Sequence, residues 1–202
     1  MSRNRAKARM KIEEQPVRQR VDGAGLRHYL QRLAKLYPER SQLTIVCVGT
    51  DCSTGDSLGP WLGTMLRYQG WENVVGTLSE PCDAERYPSV IETLDKASIV
   101  IAVDACLGKQ DSVGDFLVAA EPLYPARVTG KNLQPVGHYS IAGVVGLHTI
   151  KPYWSLQRAP LSMVIAMARQ AADAFEAAWP GRKRGHAQTS LIQYLLGKDD
   201  RK

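Results

Sequence analysis

Apolar positions along this chain fall into two rhythms, one of three to four residues and one nearly continuous. Leu26, Leu30, Leu33 and Leu36 recur at helical spacing, which predicts a helix from Asp22 that ends before Pro38. Residues 43–48 (LTIVCV) are apolar on both sides, as expected of a strand inside a parallel sheet. Leu58, Leu62, Met65 and Leu66 mark a second helix, with Pro60 in its first turn and Gly70 as its stop. A strand is expected over 73–78, and a helix over 87–97 with Val90, Ile91 and Leu94 on its apolar face. Residues 98–103 (SIVIAV) form another continuous apolar strand that runs into Asp104, and 115–120 reads as a shorter strand with more alternation. Residues 121–138 are rich in Pro, Gly and polar side chains, a long connection of the kind that often carries function. Residues 137–147 (GHYSIAGVVGL) fit either a short strand or a glycine-rich helix start. The clearest helix spans 160–179, with Leu161, Val164, Ile165, Ala168, Ala172 and Phe175 on one face and Pro180-Gly181 after it. A short amphipathic segment, 191–196, precedes the charged end. No internal repeat is present. Strand and helix alternate, which predicts an α/β domain with a mostly parallel sheet covered on both faces.

Composition changes this picture only at the ends. The 202 residues suffice for one substantial domain, and 44% hydrophobic residues suit a packed core. The formal charge of +6 is unevenly spread: residues 1–20 carry seven Lys/Arg against two Glu, and residues 182–202 carry six against two Asp. The body between them is therefore net acidic. The expected organisation is a disordered basic tail (1–20), one α/β domain (21–181), and a short amphipathic segment with a second basic tail (182–202). Such tails read as solvated ends, with weak, salt-dependent nucleic-acid contact as the other reading. No run of about 18 apolar residues is present, so no membrane association is expected. The basic N-terminus has no apolar segment behind it, unlike a secretory signal. Cys47, Cys52, Cys82 and Cys106 show no C-x-x-C pairing, which fits a reducing, cytoplasmic location.

The chemistry concentrates in residues 49–60, GTDCSTGDSLGP, between the first strand and the helix after it. Strand-to-helix turns at the carboxyl edge of a parallel sheet are where α/β proteins place their sites. This turn is not a phosphate loop, because five residues separate Gly49 from Gly55 and Asp56 stands where a cation is needed. It also lacks G-x-G-x-x-G, so nucleotide binding is disfavoured and no cofactor is expected. What remains is a set of acids: Asp51 and Asp56 after the first strand, and Asp104 after the strand at 98–103. If those strands are neighbours, Asp56 and Asp104 open onto the same edge. Two carboxylates in one desolvated cleft cannot both ionise easily, so the pair can act as acid and base on a water molecule. Aspartate is equally an ordinary cap and turn residue, and Asp51 reads most simply as a turn former. His138 and His148 flank the glycine-rich segment and can serve as bases or ligands, or be structural. No paired spacing supports zinc, and no metal is expected. Cys52 and Cys106 neighbour the acids, which would raise a thiol's pKa and blunt it as a nucleophile. Ser53, Thr54 and Ser57 are expected to satisfy loop backbone groups.

The strings IVCVGTDCSTGDSLGP, GTLSEP at 76–81, IVIAVDACLG at 99–108 and LSMVIAMA in the long helix resemble the YyaC family of sporulation proteins of endospore-forming bacteria. The similarity covers roughly residues 43–175 and omits both tails. Two positions depart from the family pattern: Cys52 where a basic residue is expected, and His138 where an acid is expected. The family looks like part of a fold group that includes the spore germination protease and the hydrogenase maturation endopeptidases (HybD-like). That resemblance implies a three-layer α/β/α fold of the phosphorylase/hydrolase-like kind. It also implies an aspartate-dependent peptidase with Asp56 and Asp104 as catalytic residues. Asp51, Ser57 and His138 are the candidate binding residues around them. The metal-binding Glu of the hydrogenase endopeptidases would fall at Ser57, so their metal site does not carry over. A peptide or protein substrate is implied, small acid-soluble spore proteins among them, in the cytoplasm of a sporulating cell or the spore core. The other reading keeps the fold without catalysis and binds a peptide or protein partner.

Overall fold

A computed structural model describes residues 18–125 and 133–181. Expectations for 1–17, for 126–132 and for 182–202, the segment at 191–196 included, lie outside the described residues. Strands β1 (Gln19–Val21), β2 (Leu43–Cys47), β3 (Val74–Val75), β4 (Ile99–Gly108), β5 (Phe116–Ala119) and β6 (Tyr139–Leu147) form one sheet in the order β1-β5-β6-β4-β2-β3. β3, β2, β4 and β6 run parallel, while β5 pairs antiparallel with both β6 and β1. The sheet is thus mixed at one side and parallel where the apolar runs lie. Helices α1 (Gly23–Leu36), α2 (Leu58–Tyr68), α3 (Tyr87–Thr93), α4 (Pro152–Gln157) and α5 (Leu161–Ala178) connect and cover it.

Alternation along the strands sorts the core into two unequal halves. Leu43, Ile45 and Cys47 of β2, with Ile101 and Val103 of β4, face α1, α2 and α5, which bury Leu26, Leu30, Leu33, Leu62, Val164 and Phe175. Val46, Val100 and Ala102 point the other way, against Cys82, Tyr87, Leu123 and Val136. That second layer is thin: α3 and an antiparallel bridge between Leu123 and Val136. The architecture is a three-layer α/β/α sandwich with one heavy and one light outer layer. α1 begins on Asp22, whose carboxylate accepts from the Gly25 N–H at 2.8 Å, a side-chain N-cap.

Several boundaries move. Gln19 and Arg20 belong to an edge strand, where the sequence pattern places tail, and Arg20 reaches Asp115 at 2.5 Å and Asp111 at 2.8 Å. β3 shrinks to two residues, and the helix expected over 87–97 stops at Thr93. β4 is the larger correction. It runs on to Gly108, so Asp104 lies within a strand and not after one. The glycine-rich segment is β6, nearly fully buried between β4 and β5. Gly143 is there for packing: a Cβ on it would sit 2.3 Å from Leu58 Cδ2.

Candidate active site

Two strand ends build the site. At the end of β2 the Val48 N–H donates to Val103 O at 2.7 Å and the Gly49 N–H donates to Cys82 O at 3.1 Å. The chain then folds back on itself: the Thr50 N–H donates to Asp56 O at 3.2 Å, and the Ser57 N–H donates to Ser53 O at 3.0 Å. Gly49 makes this closure possible. Its φ is +141°, and a Cβ there would lie 2.0 Å from the Asp56 carbonyl. Gly59, at the start of α2, lies equally close to the sheet, where a Cβ would meet Val48 O at 2.1 Å. The spacing of glycines in the motif is therefore a packing requirement, and it seats the 3₁₀ turn Gly55–Ser57 against β4 and α4.

That turn brings Asp56 to Asp104. In the register of the sheet Cys47 stands beside Val103, so Asp104 is one step past the paired end of β2, with Ala142 of β6 on its other side. Its carboxylate Oδ1 accepts from the Ala105 N–H at 2.7 Å. Burial pushes the Asp104 carboxyl up to about 8; the Ala105 N–H works against the rise, and the Asp56 charge adds to it. Asp56 is also raised by burial, with the Ser53 hydroxyl working against the rise. Asp56 loses its proton first, against a neighbour still neutral, and Asp104 then titrates against the resulting anion. Two carboxyl groups whose proton affinities are both raised by burial thus share this edge of the sheet, and the charge of one raises the other.

Other candidates separate from this pair. Asp51 is exposed at the tip of the turn, where Cys52 Sγ lies 3.8 Å from its Oδ1. Ser57 is buried and its hydroxyl donates to Thr54 O at 2.6 Å, so it holds the turn and does not face a ligand. His138 is at the opposite end of β4: its N–H donates to Val100 O at 2.8 Å and its Nδ1 accepts from the Val100 N–H at 3.1 Å. Asp104 lies four residues further along, about 13 Å at strand rise. His138 completes the start of a ladder and takes no part in the acid site. His148 is on the right edge, beyond Asp104, where its N–H donates to Gly108 O at 2.8 Å. Cys106 shares the face of Asp104, and burial together with that carboxylate pushes its thiol up to about 12, far from a nucleophile's range.

The donor set does not fit the metal of the hydrogenase endopeptidases. Ser57 is committed to the turn, and among the described residues no group of three or more His, Cys, Asp or Glu is placed to hold an ion.

The structure adds neighbours that the pattern did not reveal. Ser53 Oγ is buried and has no hydrogen-bond partner of ordinary geometry, although it lies close enough to temper Asp56. It satisfies no backbone group, contrary to expectation. Helix α4 backs the turn so closely that a Cβ on Gly55 would lie 2.6 Å from Leu156 O, and its outer face exposes Tyr153 and Trp154 beside Ile150. Its sequence signal was Pro152 in the first turn. No helix among the described residues is long and apolar enough to cross a membrane.

Comparison with known proteins adds three findings. A family model described as a protein of unknown function (DUF1256) matches residues 20–174. The chain is 41% identical over 136 residues to the uncharacterized protein YyaC of Bacillus subtilis (strain 168), covering 65% of this chain and 66% of that protein. It thus spans just under two thirds of that relative's length. Among solved structures, a [NiFe] hydrogenase maturation protease HycI from Thermococcus kodakarensis KOD1 aligns with a TM-score of 0.45 and 17% identity, over 71% of this chain and 98% of that one.

Proposed function

The chain belongs to the DUF1256 family, and we propose that it is a peptidase-like hydrolase in which Asp56 and Asp104 activate water against a peptide bond. The observation that carries this reading is the placement of Asp104, partly buried within β4, against the packed turn that carries a second carboxylate, Asp56. Asp56, ionised, takes a proton from water as the oxygen attacks the carbonyl carbon. Asp104, protonated, donates to the carbonyl oxygen as charge develops there. As the tetrahedral species collapses, the C–N bond breaks, the amine leaves with the proton from Asp56, and Asp104 recovers its own. Pairs of acids held at different protonation are the ordinary means of running both roles at one pH. The substrate is a peptide or protein, with small acid-soluble spore proteins as the first candidates, and the setting is the cytoplasm of a sporulating cell.

Incubation of the purified chain with small acid-soluble spore proteins tests it by mass spectrometry. Discrete cleavage is expected, with Asp56→Asn and Asp104→Asn each slower by at least about 100-fold, the usual weight of a general acid or base. Equal cleavage by wild type and Asp104→Asn would defeat the assignment. A second reading, a binding protein without turnover, draws on the exposed Ile150, Tyr153 and Trp154 beside the turn. It predicts tight retention of a protein ligand that survives Asp56→Asn.

A further inference from the structure

A second feature lies along β3, two strands away from the one that carries Asp104. β3 ends at Val75, Gly76 follows with φ +85°, and residues 77–80 close a small turn in which the Thr77 N–H donates to Glu80 O at 3.1 Å. Between this turn, the end of α2 and the start of α3 lies a groove of about 350 Å³. Arg67 and Arg86 both line it, together with Thr77, Ser79 and Glu80. Each guanidinium is anchored by one bond: Arg67 Nη2 donates to Val74 O at 2.8 Å, and Arg86 Nη1 donates to Pro81 O at 3.3 Å. Neither pairs with a carboxylate among the described residues, and each keeps several of its five donors. Glu80 is the one carboxylate of the lining, so the groove is net cationic.

We propose that this groove is a subsite for a carboxylate of the bound peptide, an Asp or Glu side chain, an assignment that rests on the peptidase reading of Asp56 and Asp104. Its position relative to the acids sets the reach. Pro81 lines the groove, and the next residue, Cys82, bridges to Val48 at the end of β2, the strand beside that of Asp104. Neighbouring strands stand about 4.8 Å apart, so β3 lies roughly 10 Å from β4 across the sheet. An extended peptide lying across the strand ends covers that in about three residues. Strand addition at β3 is blocked at its outward carbonyl, because Arg67 already occupies Val74 O. Recognition in the groove therefore falls to side chains, and the free donors of the two guanidinium groups that line it suit a carboxylate.

The test uses the full chain bearing Asp104→Asn, immobilised and exposed to a degenerate library of blocked heptapeptides. Retained peptides are sequenced, resynthesised with Glu or Asp changed to Gln or Asn, and their affinities measured. Acidic residues should be enriched, and each acid-to-amide change should weaken binding about tenfold or more, the weight of a charge-assisted pair. Adding Arg67→Gln and Arg86→Gln should erase that difference. Glu80→Gln, an exposed change that removes the opposing charge, should widen it. An acidic preference that survives loss of both arginines, or that Glu80→Gln leaves unchanged, overturns the subsite. Acid-selective binding with no cleavage by the wild type sinks the peptidase reading and leaves the groove standing; cleavage without acid selectivity does the reverse.

Discussion

At the scale of single residues, Asp104 has the most testable chemistry. An unfolded aspartate loses its proton near pH 4, whereas folded Asp104 holds it up to about 8. Below about pH 4 both states are protonated and the residue costs the fold nothing. As pH rises from there the unfolded chain ionises and the folded one does not, so stability falls, and the full cost is reached above about pH 8. Asp104→Asn should therefore be more stable than wild type by about 2 kcal/mol or more near pH 8.5, and by little near pH 4.5. Paired urea titrations check this, and equal gains at both pH values would contradict it. Cleavage should follow a bell, its acid limb set by Asp56 above the ordinary carboxylate range and its alkaline limb near 8. Ser53→Ala should move the acid limb upward, because the hydroxyl lowers Asp56; carbon NMR of the carboxyl reads the shift directly. Both acids were legible as polar residues attached to apolar strands. His138 was not, because its role depends on which backbone groups lack a partner at the start of β4, and only the register shows that.

At the scale of elements, the turn at 49–57 is decided by glycine. Gly49 and Gly114 both have positive φ, at +141° and +96°, but they differ in surroundings. A Cβ on Gly114 meets nothing within 4 Å, so Gly114→Ala should cost only about 1 kcal/mol of backbone strain. Gly49→Ala must also displace the Asp56 carbonyl, and should cost about 3 kcal/mol or more and shift the pH profile, because Asp56 moves with its carbonyl. Thermal denaturation of the two variants side by side checks the difference. The motif was readable as a turn, but its reason, backbone against backbone, was not. β4 was ended too early and β6 left undecided between strand and helix for a related cause. Polar Asp104 and the glycines of 137–147 look like strand breakers in one dimension, yet the ladder between β4 and β6 carries both. α4 escaped notice because its six residues show too little periodicity to stand out.

At the scale of the whole molecule, the two outer layers are unequal in their hold on the sheet. Phe175 of α5 lies in an aromatic cluster with Trp71 and Trp179, with ring centroids 5.6 and 6.1 Å away, and Arg40 closes it 4.4 Å above Trp71. Phe175→Ala should cost about 3–5 kcal/mol and unfold the body as a unit, with tryptophan fluorescence and circular dichroism changing together in urea. Alternating strands and helices made the sandwich legible. The antiparallel turn at β5 was not, since 115–120 reads the same in either direction and its pairing is settled by neighbours far away in the chain. The place of Asp104 within β4 has a further consequence, one of time. Its backbone is laced into a ladder at the centre of the sheet, where amides exchange with solvent only in rare large openings, whereas Asp56 sits on a short packed turn outside that ladder, whose amides should exchange sooner. The spacing of the pair, and with it the second proton's affinity, should then follow openings of the turn sooner than openings of the strand.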